Sequence, residues 1–165
     1  MNLNIPYMET DNKLLNDAYR IAAGDIVGNI VYYQNGLLTE EKPCMIAGLD
    51  YNTPWTRDTA INIWNALSIL SPEVSKNTLL AVLEEEEGNI YIGGQYWDSI
   101  IWMIGAREYC RFHKDDNFYR LAFEAGRNSV HRLEEDEFDE EDGLFRGPAV
   151  YGDGIAAYPD KYSKC

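Results

Sequence analysis

The chain has 165 residues, of which 45% are hydrophobic and 13% aromatic, enough for one folded domain and too apolar for disorder. Its net charge of −14 argues against nucleic acid or an anionic membrane surface as partner, because phosphate recognition needs clustered Lys and Arg. No run of about 18 apolar residues predicts a membrane span, the first residues lack the basic and apolar regions of a signal peptide, and Cys44, Cys110 and Cys165 share no CxxC or zinc-type spacing and read as reduced thiols.

In chain order, TDNKLLNDAYRIAA (10–23) predicts a first helix, capped by Thr10 or Asp11, with Leu14, Leu15, Ala18, Ile21 and Ala22 on one face and Gly24 as its stop. IVYYQNGLL (30–38) carries Asn-Gly between β-formers, a hairpin signal. A second helix runs from about 54–57 to 70, and Thr53 and Pro54 can act as its cap and first residue. Its apolar residues go most of the way round. Ser71-Pro72 opens a third helix over 72–87, wet on one face. Gly88 stops it, and GNIYIGGQ reads as a turn-rich loop. The fourth helix, 95–113, is again apolar nearly all round, and the fifth, 116–136, is amphipathic after a KDDN cap. The acidic runs EEEE (84–87) and EEDEFDEED (134–142) read as solvated helix ends. A Gly- and Pro-rich stretch, DGLFRGPAVYGDGIAAYPD, follows.

Helices two and four are therefore expected inside a helical layer, and the others outside it. If neighbours are antiparallel, the connections 24–56, 88–95 and 137–162 share one end of the array. The short turns at 71–73 and 113–117 share the other. Long aromatic loops gathered on a rigid scaffold are where function tends to sit.

Three clusters fall at that loop end: Trp55, Arg57 and Asp58; Tyr96, Trp97 and Asp98; Tyr151, Asp153 and Tyr158. Each joins an aromatic to a carboxylate near the start of an inner helix. An aromatic face packs on the C–H face of a sugar ring, and carboxylate and guanidinium take its hydroxyls in bidentate bonds. Paired acids also serve acid–base chemistry. The plain alternative is that the Asp residues are helix caps and the Trp residues core. Arg57 is notable because a cation in the first turn opposes the helix dipole.

PWTRDTAINIW resembles the WTRDS/WGRDT segment of glucoamylases and glycogen-debranching-type enzymes. GGQYWDSIIW is similar to the YWDS stretch of trehalases and the WD segment of family 63 processing α-glucosidases. These are six-hairpin glycosidases, whose (α/α)6 barrel nests six inner helices within six outer ones. The resemblance covers roughly residues 10–160 and implies an all-α partial barrel, about five of twelve helices, as the N-terminal portion of a glycosidase domain. It implies an inverting, exo-acting α-glucosidase-like hydrolase of oligosaccharides. Arg57 and Asp58 would grip hydroxyls, Trp55 and Trp97 would be pocket walls, Asp98 would be a further hydroxyl ligand, and Tyr96 and Tyr151 would lie at the same site. By position Asp153 would be the general acid, although the family's Glu-Ser-Gly lead-in is absent; Glu141 and Asp142 are further candidates.

The family's general base comes near its last inner helix and has no counterpart here. Three readings stay open: a portion of a longer enzyme, a truncated inactive copy, or a subunit completed by another chain. A different class is a non-catalytic sugar-binding or interaction module that self-associates through exposed inner helices. DDNFY (115–119) lacks the third Asp of a terpene-cyclase magnesium motif, and 134–145 fails the EF-hand pattern. His113 and His131 have no partner spacing and read as surface or turn residues. No metal or cofactor is predicted.

Overall fold

The computed structural model describes residues 5–48, 50–95 and 97–146. Tyr96, Tyr151, Asp153 and Tyr158 lie outside the described residues. The chain is mostly helical, with three small antiparallel hairpins among the described residues. Helix α1 spans Lys13–Gly28. Its cap is Asn12, whose side chain accepts from the Leu14 and Leu15 amides, rather than Thr10 or Asp11. Thr10 instead bonds Asn16. Gly24 does not end the helix, which runs one turn further to Gly28. None of its residues is buried, so the apolar face of Leu14, Leu15 and Ile21 stays exposed.

Strands β1 (Ile30–Tyr33) and β2 (Lys42–Met45) pair antiparallel, Ile30 opposite Met45 and Tyr33 opposite Lys42. The hairpin thus closes later than the Asn-Gly signal suggests. Asn35-Gly36 has another task. Gly36 takes φ +60, and a Cβ there would meet the carbonyl oxygens of Leu80 and Leu83 at 2.6 Å. Leu37 N–H donates to Leu80 O, and Asn35 Nδ2 to Ala81 O. The loop satisfies carbonyls that a helix C-terminus would leave unpaired.

That terminus belongs to α4. Helix α2 (Thr56–Asn62) continues through a π segment (Ile63–Leu67) into a last turn, α3 (Ser68–Leu70). After Ser71, α4 (Pro72–Ala81) returns. It stops well short of residue 87. The EEEE run is mostly strand β3 (Leu83–Glu86), paired with β4 (Asn89–Ile92) across a two-residue turn. Glu87 and Gly88 hold φ of 51° and 81°, the positive pair that a tight right-twisted hairpin requires. Helices α5 (Asp98–Phe112) and α6 (Asp116–Glu137) follow, then a short hairpin of β5 (Phe138–Asp139) and β6 (Leu144–Phe145). The second acidic run therefore ends a helix and turns a hairpin.

The larger of two buried clusters among the described residues joins the helices. Ile63 and Leu67 of the π segment, Leu79 of α4, Trp102 and Ala106 of α5 and Phe118 of α6 are all buried in it. Burying an Ile, Leu or Phe side chain contributes about 1.5–3 kcal/mol. Trp102 donates its indole N–H to Leu79 O at 3.3 Å, so its polar edge is satisfied inside. Helices α2 and α5 approach closely where Gly105 meets Ala60: a Cβ on Gly105 would lie 2.7 Å from the Ala60 Cα. Neither helix is buried all round, contrary to expectation. Ile61, Trp64 and Ile69 on one, and Ile100 and Ile104 on the other, are exposed. His113 lies in the turn between α5 and α6 and is half-buried: its Nε2 lies 2.6 Å from Ser68 O, at the end of the α2–α3 rod. His131 is exposed and pairs with Glu134.

Candidate functional site

Two helix starts build the site. Helix α2 begins after Trp55, which is extended (φ −108°, ψ 137°) and makes no side-chain cap bond. Helix α5 begins after Trp97, again without a side-chain cap bond. An indole cannot accept from the first amides as Ser or Asp would, so both helices start without the usual aid. Their neighbouring polar residues tie the loops instead. Thr56 donates its hydroxyl to Gly93 O at 2.7 Å. Asp98 reaches back to accept from the Gln95 amide at 2.9 Å, in the manner of a capping box.

Arg57 answers the dipole problem across the gap. Its Nε lies 3.2 Å from Asp98 Oδ1, with the two side chains 21% and 10% exposed. The sequence pairs Arg57 by adjacency with Asp58, but successive helix residues do not face each other. The ion pair therefore runs between helices, joining the first predicted cluster to the second. Asp58 lies in the same first turn, where a carboxylate suits the positive helix end.

Around this pair lies a cavity of about 260 Å³, walled by Trp55, Thr56, Arg57, Gln95 and Asp98, and also by Tyr33, Asn35 and Glu84. The connections 24–56 and 88–95 thus meet at one end. Trp55 is 45% exposed and stands edge-on to Tyr51 at 5.6 Å. Trp97 does not line this cavity. Its ring packs on Phe145, 6.2 Å between centroids, which draws the start of the third long connection to the same region. Glu141 and Asp142 sit in the exposed turn of the third hairpin, where their amides donate to Asp139.

Sequence reasoning missed Tyr33, Asn35 and Glu84. Glu84 reaches the cavity because residues 83–86 are a strand, not a helix end. The signal was present: LEEE and NIYI flank a two-residue Glu-Gly, with β-formers on one side. Two glycines let the wall close. A Cβ on Gly93 would sit 2.6 Å from Glu84 Oε1 and 2.9 Å from Val82 O. Gly94 has φ +119°, and a Cβ there would lie 2.8 Å from the Asp98 Oδ2 and 3.0 Å from the Thr56 hydroxyl.

The hairpin carrying Glu84 is held from behind by α6. Ser129 Oγ accepts from Ile92 N–H, and Asn128 Nδ2 donates to Ile90 O. Arg132 lies over the Tyr91 ring at 3.4 Å and pairs with Glu86. Chemically, the cavity offers a guanidinium already held in place, two carboxylates, amide and hydroxyl groups, and an indole at its edge. Among the described residues no group of three or more His, Cys, Asp or Glu is placed to hold a metal ion, and no helix is long and apolar enough to cross a membrane. The thiols contribute little: burial pushes the Cys44 thiol up to about 12, and burial likewise raises Cys110. No protein-family model, curated protein or solved structure matches this chain.

Proposed function

We propose that this chain carries the sugar-binding side of a glycosidase-type pocket, of the inverting α-glucosidase-like kind that PWTRD and YWDS resemble. The observation that carries the reading is the Arg57–Asp98 ion pair between two Trp-preceded helix starts, beside the cavity. A guanidinium fixed by one carboxylate keeps N–H groups for ligand hydroxyls, and preorganisation lowers the cost of binding. The cavity is smaller than the ~300–1,000 Å³ of drug-sized sites, and suits one sugar ring. Trp55 is the aromatic wall.

In this reading α2 and α5 are inner helices, and α4 and α6 outer ones, of a partial (α/α)6 barrel. Exposed Ile61, Trp64, Ile100 and Ile104 would face further inner helices. Asp153, the general acid by resemblance, lies outside the described residues, and no described residue is assigned as base. The reading therefore gives this chain binding without turnover.

Titration with glucose, trehalose and deoxynojirimycin tests it. Binding is expected, and is lost in Arg57→Ala. Absence of binding by the folded wild-type chain overturns the reading, and rapid turnover of p-nitrophenyl glycosides overturns the claim of inactivity. A second reading, a self-associating interaction module, is favoured by the exposed Leu14, Ile21, Ile61 and Trp64. Concentration-dependent oligomers without sugar binding would select it.

A further inference from the structure

Three charged side chains line the described cavity: Arg57, Asp98 and Glu84. Arg57 and Asp98 neutralise each other. Glu84 is exposed at the wall, and its carboxylate has no hydrogen-bond or ion-pair partner among the described residues. Its Oε1 lies against Gly93, while Asp98 lies against Gly94. The glycines are consecutive, so the two carboxylates stand within about 12 Å of each other. The site therefore offers one uncompensated negative charge, on a strand pinned by Ser129 and Asn128, within a chain of net charge −14.

We infer that Glu84 sets the charge class of the ligand: the pocket selects a cationic amino sugar over the neutral sugar of the same ring, and rejects the uronate. This rests on the sugar-pocket reading and deepens it. The carboxylate can accept from an ammonium group in a charge-assisted bond, from a hydroxyl in a weaker one, and repels a second carboxylate. Period-two alternation turns the next residue, Glu85, to the opposite face of the hairpin, and it does not line the cavity. Glu85 is thus a control that removes the same formal charge from the chain without touching the wall.

The experiment measures dissociation constants by ligand-observed NMR for the neutral, amino and uronate members of the gluco, galacto and manno rings. It uses the wild-type chain, Glu84→Gln and Glu85→Gln, at a pH where the amine is protonated. The wild type should bind the amino sugar about two- to five-fold tighter than the neutral one, the range for a solvent-exposed pair, and the uronate more weakly than either. Raised salt should shrink both differences. Glu84→Gln should bring the amino-to-neutral ratio near one, and Glu85→Gln should leave it unchanged. An unchanged ratio in folded Glu84→Gln, or an equal loss in Glu85→Gln, overturns the inference while the pocket reading stands. Failure of the wild type to bind any ring overturns both.

Discussion

The two ends of the helical array solve the same problem differently. At the short-turn end, helix starts are capped by side chains: Ser71 Oγ accepts from Val74 N–H, and Asp115 Oδ1 from Phe118 N–H. Asp115 also pairs with Lys76 at 2.5 Å, and His113 meets Ser68 O. At the loop end, Trp55 and Trp97 occupy the cap positions and make no side-chain cap bond. There the polar side chains bond across to another element, Thr56 to Gly93 and Arg57 to Asp98. Helix starts made for stability use their neighbours' side chains locally. Those at the cavity start behind an indole, keep one local bond, from the Gln95 amide to Asp98, and otherwise tie separate elements together. The contrast separates scaffold from candidate site without reference to any relative.

The strongest way to break this comparison is Asp98→Ala. It removes the acceptor for the Gln95 amide and leaves a largely covered guanidinium without this partner. An unpaired, mostly buried charge of this kind costs about 2–4 kcal/mol. Urea unfolding should show that loss, and sugar titration should show binding abolished. Asp98→Asn should keep part of the stability, because an amide oxygen can still accept from Gln95. A cost for Asp98→Ala no larger than that of a cap deletion would mean that the two ends do not differ.

At the other end, Asp115→Ala should cost about 1 kcal/mol, the usual value of an N-cap, and leave sugar binding untouched. Its pH dependence has a definite sign. The Lys76 ammonium, then the Phe118 amide, hold the Asp115 carboxyl below its ordinary value. A carboxyl lowered by folding contributes fully above its unfolded pKa, and that contribution is lost as pH falls through the folded value. The gap in urea midpoint between wild type and Asp115→Ala should therefore be constant at neutral pH and narrow below about pH 4. A gap that instead widened on acidification would remove Lys76 and the cap as its cause.

The same contrast explains what could be read from the sequence. The short-turn end was legible because its signals are local. Ser-Pro and Lys-Asp-Asp-Asn are caps within a few residues of the amides they serve, and α4 and α6 begin near where those signals place them. The loop end depends on pairings between distant residues. Arg57 was visible as an anomaly, but its partner stands forty-one positions later at Asp98, where adjacency points to Asp58. The EEEE run misled because Glu is depleted in strands and a charge run commonly ends a helix. A two-residue turn with two positive φ angles decided otherwise. Asn35-Gly36 signalled a turn correctly, yet its glycine serves the α4 carbonyls.

The smallest expected change in stability is also the sharpest test of the contrast. Trp55→Ser places at the loop end the kind of cap found at the other. A serine there should accept from an early amide of α2 and contribute about 0.5–1 kcal/mol. Against it stands the loss of the edge-on contact with Tyr51, worth about 0.5–1.5 kcal/mol for an aromatic pair. The two nearly cancel, so the urea midpoint should move little. Sugar affinity should not be spared, because the indole at the cavity edge is gone and base-line polar contacts from Arg57 alone cannot replace its ring face. A variant equally stable and several-fold weaker in binding would show that Trp55 sits at the cap for the ligand's sake. A variant that gained stability and kept its affinity would make Trp55 an ordinary surface aromatic, and the loop end would lose its claim to be different.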